Sequence, residues 1–459
     1  MSEIFDSRRT RTTTTALVVT GGIGVALAWL QCLLIRQQFA VGLWVIVVAV
    51  VATCLVASDA RKHAALGTSL GAVTVVAQVA WLVTAFHALW VVSATAGTAL
   101  GFFLLGSAWA GSSGGTRRAA LAVPAGLAAS IALVVSAVTI TTAASPAPLV
   151  RALQSLGQSN SFVSAAPTAM TVVNGAGRTS DIEYGSALPN SFLDIYIADN
   201  DPSVSRPTYV MVHGGGWIAG DKADGDSELG TDNPYFASGA GPVLDAGFNL
   251  VSVNYAFAPE YRFPTQTIQL GEALQFLETN ADRYGLDMSR VVLAGSSAGG
   301  QIVGSYANVR TNPDYARALG IEPTMDRSAL KAVVFDSAVL DVGRAGSPQS
   351  PSPSNGFLYD IGARSYLDTT DPDWLVRANV TTNVTSDFPP SFIADGNTGT
   401  FPDQAAELSA KLDRVGVANR LNLYSKNEGT LEHAFMTTSS EWTDEYNRLR
   451  IEFLRGIVG

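Results

Sequence analysis

Apolar and polar positions follow two different patterns along this chain of 459 residues, with the change near residue 142. Before it come five near-continuous apolar stretches, at approximately 15–35, 39–57, 64–86, 88–110 and 119–140. A hydrocarbon layer about 30 Å thick needs roughly 20 apolar residues per helix, so each stretch is long enough to span one. A tight turn near His87 is all that divides the third from the fourth. A cleaved signal peptide would account for one such stretch, not five. Further along, the apolar runs shorten. The segments 208-TYVMV-212, 249-NLVSV-253, 290-RVVLA-294, 331-KAVVF-335 and 391-SFIA-394 have the look of strands buried on both faces. Helical patterns separate them at 268–284, 299–308 and 403–415, the last with Leu408, Leu412 and Val415 on one face. This alternation predicts an α/β fold with a doubly wound, mostly parallel sheet and its chemistry in the loops at the strands' C-terminal ends. The expected organisation is an all-α transmembrane domain over 1–141, a linker or lid segment rich in Ala, Ser, Thr and Pro over 142–177, and the α/β domain over 178–459.

Charge sharpens this division. Arg8, Arg9 and Arg11 precede the first span, Arg61 and Lys62 lie between the second and third, and Arg117 and Arg118 between the fourth and fifth. With five spans all three basic clusters share one side, which predicts a cytoplasmic N-terminus and an extracytoplasmic second domain. No span carries an ionisable residue at mid-depth, where intramembrane chemistry would need one, and His63 and His87 sit at helix ends. The first domain therefore reads as an anchor. Residues 151–459 hold 21 Lys/Arg against 36 Asp/Glu, which argues against nucleic acid or anionic headgroups as the ligand. Cys32 and Cys54 both fall inside predicted spans, so no disulfide is expected in the second domain.

The candidate chemistry falls in the loops where the fold predicts it. After 290-RVVLA comes 295-GSSAG-299 and then a helix, a G-x-S-x-G turn with Ser297 at its centre. A serine on so sharp a turn needs small neighbours. After 208-TYVMV comes 213-HGGGW-217, whose successive glycines can aim backbone N–H groups into a cavity and hold an oxyanion. A phosphate loop would instead need a Lys-Ser/Thr pair, or G-x-G-x-x-G opening a helix. Of the four histidines, two lie at membrane-helix ends and His213 lies in the glycine motif, which leaves His433 as the base. It follows the strand-like 420-RLNLY near the C-terminus, in the chain order serine, acid, histidine.

Taken in order, HGGGW, 254-NYAFAPEYRFP-264, GSSAGG and the late H-x-F resemble the hormone-sensitive-lipase-like carboxylesterases of the α/β-hydrolase fold, over about residues 180–455. The resemblance implies hydrolysis of short-to-medium acyl esters, small-molecule or lipid, without a cofactor or metal. It also implies that Gly215, Gly216 and Ala298 supply the oxyanion N–H groups. One position departs from the family. Where G-x-x-D should end the strand–loop segment, this chain has 396-GNTG-399. Asp403, at the start of the next helix, is the expected replacement, with Asp395, Asp341 and Asp387 as alternatives. Aromatic residues of a Pro/Ser-rich segment, Tyr359, Tyr366 and Trp374 among them, are expected in a lid. An acyltransferase sharing the same acyl-enzyme, and an inactive hydrolase fold that binds a ligand, are the rival readings.

Overall fold

The strands form because their apolar runs are rich in Val, Ile, Leu and Tyr and have a core to fill on both sides of one sheet. In a computed structural model the described residues are 145–158, 170–223, 236–349, 353–369 and 371–458, with residue 142 and isolated positions between 69 and 99. The chain divides into two compact units, Met1–Leu149 with Ser352–Phe357, and Val150–Pro351 with Leu358–Gly459. In the first, the isolated positions between 69 and 99 are helical. The five expected spans otherwise lie outside the described residues. Among the described residues no helix is long and apolar enough to cross a membrane.

The second unit is built on nine strands: β1 (Thr171–Val173), β2 (Ala176–Glu183), β3 (Phe192–Ile197), β4 (Pro207–Val212), β5 (Asn249–Val253), β6 (Asp287–Ser296), β7 (Leu330–Asp336), β8 (Ser391–Asp395) and β9 (Asn419–Leu423). Their order across the sheet is β1-β2-β3-β5-β4-β6-β7-β8-β9. Pairing is antiparallel from β1 to β5 and parallel from β5 to β9. The five expected strands are all present. The first three strands are new, and they begin at Thr171, inside the segment expected to be a linker. Val172 pairs with Gly177 there, so the sheet crosses the expected boundary at 177/178.

Alternate side chains of each central strand serve two apolar layers. Val210 and Val212 of β4 join the layer on one face, and Tyr209 and Met211 the layer on the other. The helices that cover these faces and flank the site are α1 (Ala147–Leu153), α2 (Thr265–Thr279), α3 (Ala298–Thr311), α4 (Pro353–Leu367), α5 (Pro402–Arg414) and α6 (Glu441–Val458). Helix α6 brings a buried polar network to the sheet. Arg450 donates to Tyr209 and Tyr446, and the Tyr446 hydroxyl donates to Asp336 Oδ1 at 2.7 Å. Burial raises the Asp336 pKa against the pull of Arg450 and Tyr446. Beside it, the Asp336 carbonyl accepts the Ser297 N–H at 2.9 Å, which ties the end of β7 to the turn after β6.

Candidate active site

Ser297 sits between β6 and α3 with φ 52 and ψ −116, the strained conformation that lifts a side chain out of a strand-to-helix turn. Close approach makes it possible. A Cβ added at Gly299 would lie 2.1 Å from the Val212 carbonyl oxygen, so only glycine lets the turn pass that close to β4. The glycine loop after β4 presses on the same serine, since a Cβ at Gly214 would come 3.2 Å from the Ser297 Cβ. Gly215 and Gly216 both have positive φ, at 104° and 61°. Gly215 turns its carbonyl toward the Ile218 and Ala219 amides, while the N–H groups of Gly215, Gly216 and Ala298 donate to no protein acceptor among the described residues. His213 stacks on Tyr255 at 4.3 Å, and the Tyr255 hydroxyl donates to the Gly214 carbonyl at 2.9 Å. The histidine of the glycine motif thus braces the loop.

His433 meets the serine: Nε2 lies 2.9 Å from Ser297 Oγ. Two loops are laced together to bring it there. The Asn397 amide donates to the Gly429 carbonyl at 2.8 Å, and its Oδ1 accepts the Leu431 N–H at 3.0 Å. The Leu431 carbonyl accepts the amides of Asn397 and Thr398 in return. Past the histidine, Ala434 takes a left-handed φ of 59° and donates its N–H to Ser337 Oγ at the end of β7. Tyr359 of α4 covers the imidazole at 5.1 Å between rings, and Phe401 packs edge-on at 5.7 Å. Desolvation under these rings lowers the His433 pKa to about 4, which keeps the imidazole neutral at pH 7.

The acid is not where the sequence led us to expect it. Asp403 lies in the first turn of α5, where its Oδ2 faces Arg344 Nη1 at 3.4 Å, not the imidazole. Helix direction is the reason. Pro402 starts α5 and points its first turn toward the surface cluster of Arg344 and Glu407. Asp341 pairs with Arg344 and Asp387 with Arg327, so neither alternative reaches the site. What faces His433 Nδ1, at 2.9 Å, is the hydroxyl of Thr400. Behind it lies the buried Asp395, whose Oδ1 takes the Thr400 hydroxyl at 2.5 Å and the Gly396 N–H at 2.7 Å, and whose Oδ2 takes the Phe401 N–H at 2.9 Å. Burial raises its pKa to about 6, opposed by the hydrogen bonds of Thr400, Ser337, Gly396 and Phe401.

Nothing in the sequence marks Thr400, because a threonine carries no acid signature. The available hints were the acid-free loop and the carboxylate at the end of β8. Gly399 has the tight left-handed turn its position requires, with φ 63. Tyr359, from the expected lid, donates to the Gly399 carbonyl, while Tyr366 stacks on Trp217 at 4.5 Å.

A cavity of about 440 Å³ opens over Ser297, lined by the glycine loop, Ile218, Tyr359, His433 and, from the segment before the sheet, Val150, Leu153 and Gln154. Gln154 is fixed by donating to the carbonyls of Ile218 and Ala258. Among the described residues that line it, none is Asp, Glu, Lys or Arg. Among the described residues no cluster of His, Cys, Asp and Glu is suited to a metal ion.

The BD-FAE family profile matches residues 193–412. The chain is 29% identical over 241 residues to the carboxylesterase NlhH of Mycobacterium tuberculosis, covering 50% of this chain and 66% of that one. It is 28% identical over 231 residues to the ethyl acetate hydrolase of Pseudomonas putida, covering 48% and 65%. The chain thus spans less than two thirds of the length of either relative. In structure it superposes on esterase B of Lactobacillus rhamnosis with a TM-score of 0.52 at 20% identity, over 63% of this chain and 88% of that one. The fold is that of the α/β-hydrolases, and the sequence similarity is to hydrolases of the carboxylesterase type.

Proposed function

We propose that this chain is a serine carboxylester hydrolase that works through an acyl-enzyme on Ser297. The observation that carries the reading is the 2.9 Å contact between Ser297 Oγ and His433 Nε2 at the floor of the cavity. The Ser297 hydroxyl adds to the ester carbonyl carbon and its proton passes to His433 Nε2. The carbonyl oxygen, now an oxyanion, takes the free N–H groups of Gly215, Gly216 and Ala298. His433 returns the proton to the departing alcohol, which leaves the acyl group on Ser297. Water then repeats the sequence in the second half and frees the acid. No step needs a cofactor. A cavity whose described lining carries no Asp, Glu, Lys or Arg favours a neutral ester, small-molecule or lipid-derived, with a short-to-medium acyl chain.

The same reading places the enzyme on a membrane. Its support is the sequence pattern: five apolar stretches before residue 142, with basic clusters in alternate loops. Incubation with a fluorophosphonate probe and p-nitrophenyl butyrate tests the catalytic part. Wild type is expected to be labelled and to turn over, and Ser297→Ala to lose both. Turnover retained by Ser297→Ala ends the acyl-enzyme reading, and labelling without turnover in water redirects it to acyl transfer onto another acceptor.

A further inference from the structure

The link between His433 and Asp395 is indirect, and the hydrogen-bonding capacity of each group fixes its polarity. An ionised carboxylate only accepts, so in the 2.5 Å contact between Thr400 and Asp395 the hydroxyl donates. A threonine hydroxyl has one proton. With that proton committed to Asp395, Oγ1 can only accept from His433 Nδ1, 2.9 Å away. Nδ1 therefore carries the imidazole hydrogen, and the lone pair of Nε2 faces Ser297 Oγ. This is the tautomer a general base needs. We propose that Thr400 is the positioning residue of this site, a hydroxyl bridge through which the buried Asp395 sets the tautomer of His433 in place of a carboxylate in direct contact.

The inference rests on the acyl-enzyme reading of Ser297. When His433 accepts the serine proton, no proton moves along the bridge. The imidazolium keeps Nδ1–H on Thr400, Thr400 keeps its own proton on Asp395, and the carboxylate charge stabilises the cation from one hydroxyl further away. A purely structural Thr400 would serve only to satisfy Asp395, which already accepts the amides of Gly396 and Phe401. The loop geometry goes further than that requirement, because it places the same oxygen within hydrogen-bond distance of the imidazole.

The test compares Thr400→Val, Thr400→Ser and Asp395→Asn in the full chain, with p-nitrophenyl butyrate turnover and melting temperature read together. Wild type is assayed first; if it neither labels with fluorophosphonate nor turns over, the acyl-enzyme reading has failed and not the bridge. Given an active wild type, Thr400→Val keeps the shape and removes the hydroxyl, and is expected to lower kcat on the order of a hundredfold or more with KM little changed. Thr400→Ser restores the hydroxyl and is expected within about tenfold of wild type, as shared bridge chemistry requires. An amide at 395 can donate to Oγ1 and reverse the bridge, so Asp395→Asn should slow kcat as Thr400→Val does. The double variant should be no slower than the worse single variant, because both remove one device. Should Thr400→Val lack a cooperative melting transition, the decision passes to Asp395→Asn and Thr400→Ser. Full activity in Thr400→Val or in a folded Asp395→Asn, or the absence of rescue by Thr400→Ser, overturns the bridge.

Discussion

At the scale of single residues, the two titratable groups behind Ser297 have been moved in opposite directions. Burial raises Asp395 to about 6, and desolvation lowers His433 to about 4. The groups facing them are Ser337 just after β7, Thr400 from the loop after β8, Tyr359 from α4, and exposed Glu432 beside the histidine. As pH falls through about 6, Asp395 takes a proton while His433 is still neutral. A protonated Asp395 can donate to Thr400, which then donates to Nδ1 and puts the imidazole hydrogen on the wrong nitrogen. The acid limb of kcat/KM is therefore expected near pH 6, set by the carboxyl, and to shift toward 4 in Thr400→Val. Stability should not follow activity. Asp395, raised from 3.8, contributes stability present below its unfolded pKa and lost as pH rises through 6. His433, lowered from 6.5, contributes stability present above its unfolded pKa and lost as pH falls through 4. Between about 4 and 6 the folded pair holds one proton on Asp395 and the unfolded pair one on His433, so the two slopes cancel. Melting curves across that window should show no transition driven by this pair while turnover falls; unfolding in step with inactivation would refute the account. Asp403 lies outside this chain of contacts. Asp403→Asn, which weakens a partly exposed pair with Arg344, is expected to leave kcat within about twofold and to cost at most about 1 kcal/mol in denaturant titration.

At the scale of elements, the site is an agreement between the ends of four strands and the helix after one of them. β4 carries the glycine loop, β6 the serine turn, β7 the Ser337 and Asp336 contacts, and β8 the Asp395–Thr400 segment. Parallel pairing puts all these ends on one edge of the sheet, as doubly wound sheets require. The histidine loop follows β9, whose end lies on the same edge beside that of β8, and Asn397 ties the two loops together through its bonds to Gly429 and Leu431. Asn397→Ala leaves the Leu431 N–H without its side-chain acceptor and the Gly429 carbonyl without its donor. The expected cost is about 1–3 kcal/mol in chemical denaturation, with kcat reduced on the order of tenfold as His433 loses its placement. A stability loss with unchanged kcat would mean that other contacts of the loop, such as Ala434 N–H on Ser337, suffice to hold the imidazole.

For the whole molecule, the unit that holds the site is acidic, with the imbalance of 21 bases against 36 acids beyond residue 150. Its cavity wall includes Val150, Leu153 and Gln154, which come before the first strand in the chain. The segment that follows the apolar N-terminal stretches in the chain is therefore part of the cavity wall. If the five apolar stretches span a membrane as proposed, the three basic clusters share one side, which predicts that this unit lies outside the cytoplasm. Protease added to intact spheroplasts should then degrade residues 151–459. Protection until the membrane is opened would change the number of spans by one.

By itself the sequence determined whatever is written locally: the strand–helix alternation, the serine turn, the glycine loop and, by elimination, the one histidine left to act as base. These follow from short-range rules of periodicity, steric smallness and residue count. The antiparallel strands β1 to β3 escaped it, because Thr171–Val173 and the mixed segment 176–183 lack the continuous apolar run of a strand covered on both faces. The acid escaped it for a different reason. Asp403 and Asp395 stand on either side of the same loop, eight residues apart in the chain. Which of them serves His433 depends on the path of that loop. The Asn397 contacts, the left-handed turn at Gly399 and the outward first turn of α5 together send Asp403 to Arg344 and leave Thr400 between Asp395 and the imidazole. Those are directions in space between side chains far apart in sequence, and only packing decides them.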